Sequence, residues 1–218
     1  MHPKLSCTWT YVGLAIALLA GPGLIAIQTA MGGPVSNVAE TLVRELMLFA
    51  LAGVLVLVIL RGERLPLSSV GLRTDRFGKT LLLGLGISLA LAATAVAALG
   101  LLHIVGLKSA RFPGFRPPPV VLTLVIVRAG IVEELFYRGY AIERLQALTG
   151  SKWVAAIVPL LFFAAAHFKG GASGMLIALA LGAALTFFYM WKRNLGANMI
   201  GHFMIDFVPN VLLPPPTG

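Results

Sequence analysis

Arg128, Glu133, Glu134, Arg138, His167, His202 and Asp206 are ionisable side chains inside otherwise apolar stretches of this chain. An ionisable group in a bilayer costs several kcal/mol, so such residues face a cavity or a partner and are candidates for chemistry. Glu134 and Arg138 are four residues apart, with the acid N-terminal, the helical order that favours a salt pair. Glu133 is turned by about 100° from Glu134 and is not matched to Arg138 by spacing. The expected division of labour makes Glu134 with Arg138 structural and leaves Glu133 free to take a proton from water. A charge cluster that merely ends a helix at the interface would show the same spacing. His202 and Asp206 also lie four apart on one helix face. Such a pair can be a structural hydrogen bond, two metal ligands or a support for an oxyanion. An ionised Asp206 only accepts hydrogen bonds, so it is either protonated or orients His202. His167 closes the stretch Phe162-Phe163-Ala164-Ala165-Ala166, where a lone histidine serves as readily at an interface as in catalysis. Arg128, five residues before Glu133, is expected to pair with Asp206 or another buried acceptor, or to snorkel along a cavity.

The elements that must position these groups are membrane helices. The 218 residues are 58% hydrophobic and 11% charged, whereas soluble domains run near half apolar and about a quarter charged. The apolar residues gather in runs at Trp9 to Met31, Leu46 to Leu60, Leu81 to Val105, Val120 to Tyr140, Trp153 to His167, Met175 to Trp191 and Ala197 to Leu213. The expected fold is all-α, a polytopic transmembrane helical bundle of about seven spans (six to eight), with short interfacial helices. One of these is expected within Ala141 to Lys152. Arg44 and Glu45, just before the second run, are expected at the interface. The chain reads as a single membrane domain, 1–218, with the catalytic core helices over 120–213. The first run is longer than the apolar part of a signal peptide and reads as a retained helix. The stretch Arg61 to Thr80 is too short to build a core of its own. Cys7 is the single cysteine and forms no internal disulfide. No repeat or inverted pair points to a transporter. The net charge of +9 is read as loop charge that holds topology, not as a nucleic-acid surface.

Charge also orients the bundle. Ten basic residues (Lys4, Arg61, Arg64, Arg73, Arg76, Lys79, Arg144, Lys152, Lys192 and Arg193) fall on one side, against Arg44, Lys108, Arg111, Arg116 and Lys169 on the other. The positive-inside rule then puts the N-terminus in the cytoplasm, the C-terminus outside, and the site on the cytoplasmic side. At a rise of about 1.5 Å per residue, Glu133, His202 and Asp206 lie about 10, 8 and 14 Å below the inner surface. By the same count His167 lies at about 21 Å, so the fifth span is expected to begin later, near Ala156 to Pro159, or to tilt.

Taken in order, Glu133-Glu134-x-x-x-Arg138, Phe163-x-x-x-His167 and His202-x-x-x-Asp206 resemble the signature of the CAAX protease and bacteriocin-processing family of intramembrane peptidases. The flanking Phe136-Tyr137-Arg138-Gly139-Tyr140 and Gly201-His202-Phe203 fit as well, and the resemblance covers Leu124 to Phe207. The basic stretch Leu65 to Arg73 is compatible with a segment such proteins carry upstream. The resemblance implies that Glu133, as general base, and His167 activate the attacking water. Glu134 and Arg138 then fix the geometry, and His202 with Asp206 holds the oxyanion. Implied substrates are a prenylated C-terminus, a leader-like peptide or another membrane protein, all met at the bilayer. A metal-free site is favoured; a zinc site on Glu133, His167 and His202 is the other form. The alternative function is a non-proteolytic immunity or partner-binding protein of the same fold.

Overall fold

The computed structural model describes residues 7–73, 77–107 and 115–213. Lys4, Arg76, Lys108 and Arg111, used above to orient the chain, lie outside the described residues. Among the described residues the chain is helical and contains no strand. Seven helices follow one another: α1 over 7–32, α2 Val38–Gly62, α3 Phe77–Ile104, α4 over 119–149, α5 Lys152–Ala166, α6 Gly171–Lys192 and α7 over 195–212. Every apolar run of the sequence is therefore a helix, in a polytopic bundle. Four segments, Thr8–Gly32, Val38–Gly62, Phe77–Ile104 and Phe168–Lys192, are long and apolar enough to cross a membrane. The 15 residues of α5 extend only about 22 Å, short of a hydrocarbon core of about 30 Å.

Two boundaries differ from the sequence expectation, each for a local reason. The polar turn before the second apolar run is helical, because the Asn37 side chain accepts from the Glu40 N–H at 3.0 Å and Glu40 accepts back from the Ser36 N–H at 2.8 Å. These reciprocal bonds at the first turn start α2 eight residues early. Glu45, within this helix, is fully buried in the bundle. Nor does α4 stop near Tyr140. It continues through Glu143–Thr149 and ends at Gly150, whose φ of 69° allows the left-handed turn that closes it.

Helix α4 is the axis of the molecule. Over Ala129–Ile142 it is wound as a π-helix, with i→i+5 bonding, and all of that stretch except Ile131 and Glu133 is buried. One buried apolar cluster joins it to α1, α2, α5, α6 and α7 through Leu14, Leu55, Ile59, Phe163, Tyr189 and Leu195. Helices α3 and α7 cross closely because of glycine. A Cβ on Gly84 would lie 2.7 Å from Ile200, and one on Gly201 would lie 2.5 Å from Ile87. Small residues at such crossings let membrane helices approach, and here they seat the turn that carries His202.

The loops sort into two ends. Thr10, Glu63, Ser69 and Arg144 are hydrogen-bonded together. Glu143 bonds Arg193 and Tyr189, Asn194 bonds Thr80 at 2.9 Å, and the Leu195 N–H donates to the Gly71 carbonyl at 2.9 Å. The start of α1 thus shares an end with the 62–73, 143–150 and 193–195 segments and with Thr80. Arg116 meets the Asn210 carbonyl at the other end.

Candidate active site

The site is built on the π-wound part of α4 and on α7. Arg138 donates to Glu134 Oε1 at 2.8 Å and to the Gly182 carbonyl at 3.2 Å, with its guanidinium 4.2 Å from the centre of the Phe163 ring. Glu134 and Arg138 are both buried, so the pair expected from i, i+4 spacing is present inside the bundle. Glu134 does more than hold Arg138. It accepts from His202 Nδ1 at 2.8 Å and from Asn198 Nδ2 at 3.2 Å. A carboxylate only accepts, so Nδ1 carries the proton and Nε2 is the nitrogen turned to the site. That Nε2 lies 4.0 Å from Glu133 Oε2 and 3.5 Å from Asp206 Oδ2. His202 is thus clasped first by Glu134, and its approach to Asp206 is the longer one.

Glu133 is not the unpaired carboxylate that its spacing implies. Arg128 Nη1 donates to its Oε1 at 2.6 Å, and Arg128 Nε donates to Glu45 Oε2 at 2.6 Å. The reason is the winding of α4. In an α-helix, residues five apart differ by about 140° around the axis. With i→i+5 bonding each turn takes more residues, and positions five apart return to nearly the same face. Asp206, named among the expected partners of Arg128, is not the one it takes. One oxygen of Glu133 is held, while its side chain remains 22% exposed, against 0% for Glu134.

His167 follows the last residue of α5, one turn beyond Phe163. Its Nδ1 lies 2.8 Å from the Phe163 carbonyl. A carbonyl cannot donate, so Nδ1 carries the proton and a neutral His167 presents its free lone pair at Nε2. The Phe163 ring sits 4.7 Å from the His167 ring and 6.2 Å from the His202 ring, and it also meets Tyr137. One phenyl therefore stands beside both imidazoles. Helix α5 begins at Lys152, not near Ala156 to Pro159, and ends at Ala166 beside His167. The structure brings together Glu133, Glu134, Arg138, His167, His202 and Asp206.

Two members were missed in the sequence. Asn198 is buried and spends both amide hydrogens, on Glu134 and on the Leu185 carbonyl at 2.8 Å. Its position, four before His202 on the same face, was a readable signal. Glu45 had a weaker one, an acid beside an apolar run. Glu133, His167 and His202 are the possible zinc ligands among these side chains. Among the described residues no group of three or more His, Cys, Asp or Glu is arranged to hold a metal ion.

The fold and the site define a polytopic helical membrane protein with a carboxylate–imidazole centre inside the bundle. Residues 115–208 match the family model described as type II CAAX prenyl endopeptidase Rce1-like. That stretch runs from the segment before α4 into the last turns of α7, and it is there that the chain is similar to the CAAX-type endopeptidases. No curated protein and no solved structure gives a significant match to the chain.

Proposed function

We propose that this chain is an intramembrane endopeptidase that hydrolyses a peptide bond with water activated by Glu133 and His167. The observation that carries the reading is the partly open carboxylate of Glu133, whose free Oε2 faces His202 Nε2 at 4.0 Å within the family-matched stretch. Glu133 takes the proton of the attacking water through Oε2, and His167 Nε2 accepts a hydrogen bond that orients the same water. The new oxygen–carbon bond forms as the carbonyl oxygen gains charge, and the proton passes on to the leaving amine. His202, fixed at Nδ1 by Glu134 and carrying a second proton on Nε2 beside the Asp206 and Glu133 carboxylates, donates Nε2–H to the developing oxyanion. Asp206, an acceptor beside Nε2, orients that ring. Arg138 and Asn198 keep Glu134 in place. No step is routed through a metal.

The substrate class is a peptide segment at or in the bilayer, a lipidated C-terminal C-A-A-X sequence or a leader-like peptide. The ten-to-five split of basic residues supports a cytoplasmic N-terminus and a site reached from the cytoplasmic side. Reporter fusions at each end of the chain test this, and an N-terminal reporter outside the cytoplasm contradicts it. The second reading, a non-proteolytic partner-binding protein of the same fold, has one observation in its favour: Arg128 occupies Oε1 of Glu133.

The experiment is cleavage by the purified chain in proteoliposomes, with a farnesylated C-A-A-X peptide and its unlipidated counterpart, read by mass spectrometry, with and without chelator. Release of the terminal tripeptide from the farnesylated peptide, unchanged by chelator, is the expected result. Folded protein that cleaves neither peptide overturns the lipidated-substrate reading. Loss of activity to chelator with recovery on zinc overturns the metal-free one.

A further inference from the structure

Glu45 belongs to α2, outside the segment that matches the family, and a single residue joins it to Glu133. Arg128 Nε donates to Glu45 Oε2 and Arg128 Nη1 to Glu133 Oε1, each at 2.6 Å. The other oxygen of Glu45 accepts from Arg44 Nε and Nη2 at 3.1 and 3.0 Å. Arg44, Glu45, Arg128 and Glu133 form a row of alternating charge that runs from α2 into the site. The inner members are secluded: the Glu45 side chain is 0% exposed and that of Arg128 11%.

Three features set this row apart from a satisfied ion pair. Arg128 takes one oxygen of Glu133, so the carboxylate plane is held and Oε2 is left to face His202. A guanidinium does not give up its proton, so it steers Glu133 without competing as an acid. Its planar fork lets two nitrogens meet two carboxylates at once, which an ammonium point charge does not reproduce. Glu45 fixes the fork from behind and shares its charge, so that Arg128 does not pair with Glu133 alone.

Resting on the reading of Glu133 as the base, we infer that Glu45 and Arg128 are positioning residues for it: Glu45 anchors Arg128, and Arg128 aims the free oxygen of Glu133. Misplacing a catalytic group by about 1 Å can cost a rate factor of about 10², so the relay acts on kcat and leaves KM unchanged.

The test uses the full chain in proteoliposomes with two readouts. One is the rate at which dicyclohexylcarbodiimide modifies Glu133, followed by mass spectrometry of the peptide containing it. The other is kcat and KM on the farnesylated peptide. Arg128→Gln releases Glu133, so its modification quickens and kcat falls by roughly tenfold or more with KM unchanged. Arg128→Lys keeps the charge and slows the modification again, while kcat stays low. Glu45→Gln lowers kcat in the wild-type background and has no further effect on Arg128→Gln, because it acts only through that arginine. Where Arg128→Gln does not fold, Arg128→Lys carries the test through kcat, and a wild-type kcat in folded Arg128→Lys overturns the proposal. Equal modification of Glu133 in folded wild type and Arg128→Gln overturns the proposal, as do additive effects of Glu45→Gln and Arg128→Gln. If the wild type does not cleave the peptide, the protease reading fails, and modification of Glu133 alone decides whether Arg128 holds it.

Discussion

Two clusters of buried charge stand in this bundle, and only one of them has anything left over. At the end that holds the start of α1, Glu63 accepts from Arg144 at 2.8, 3.0 and 3.1 Å, from Tyr140 at 2.9 Å and from Thr10 at 2.8 Å. Arg144 also meets Ser69 and lies 4.9 Å from the centre of the Tyr140 ring. Both charged side chains are shut away from solvent, with 0% and 4% exposed. In the α4–α7 cluster Glu134 and Arg138 are equally closed. Around them Glu133 keeps one unshared oxygen, His167 and His202 each keep one nitrogen, and Asp206 is 36% exposed. A carboxylate–arginine pair inside an apolar bundle is thus no mark of chemistry by itself. Unspent hydrogen-bonding capacity on groups of complementary acidity is, because only those atoms can bind and transfer a proton.

The comparison is sharpened most by removing a partner from the closed cluster. Arg144→Ala leaves Glu63 buried without its counter-ion and is expected to cost about 3–5 kcal/mol of stability. Thermal unfolding in detergent reads the loss, while the cleavage rate per folded molecule stays that of the wild type. An equal loss of specific activity would erase the distinction between the clusters. In the open cluster the balance reverses. His167→Ala gives up one hydrogen bond to its own helix and is expected to cost about 10²-fold in kcat, with the unfolding midpoint unchanged. The smallest effect is expected at Asp206→Asn, which keeps an acceptor oxygen beside His202 Nε2. Its kcat should stay within a few-fold of wild type, and a collapse of activity would show that the charge of Asp206, not its placement, matters.

How much of this was legible in the sequence followed helical geometry. The Glu134–Arg138 and His202–Asp206 neighbours were readable because four residues bring side chains together on an α-helix. The class of fold was readable because a bilayer demands long apolar helices. The Arg128–Glu133 pair was hidden, since α spacing separates residues five apart and nothing in Ala129–Ile142 announces i→i+5 winding. Glu45 was hidden twice: 83 residues separate it from Arg128, and the polar turn before it read as an interface. The Glu63–Arg144 cluster escaped for the opposite reason, because its arginine counted as loop charge. Gly139 belongs to the same lesson. A Cβ there would lie 3.1 Å from the Val70 carbonyl, so the basic segment between α2 and α3 packs directly on the helix of the site.

The most direct measurement sets Glu133→Gln beside Arg144→Ala, with cleavage of the farnesylated peptide and thermal unfolding followed on the same preparations. Glu133→Gln keeps the size of the side chain and a hydrogen-bond acceptor for Arg128 while removing the proton acceptor. The expected result is a protein that unfolds where the wild type does and cleaves no faster than background. Wild-type cleavage by folded Glu133→Gln would contradict the account at its centre.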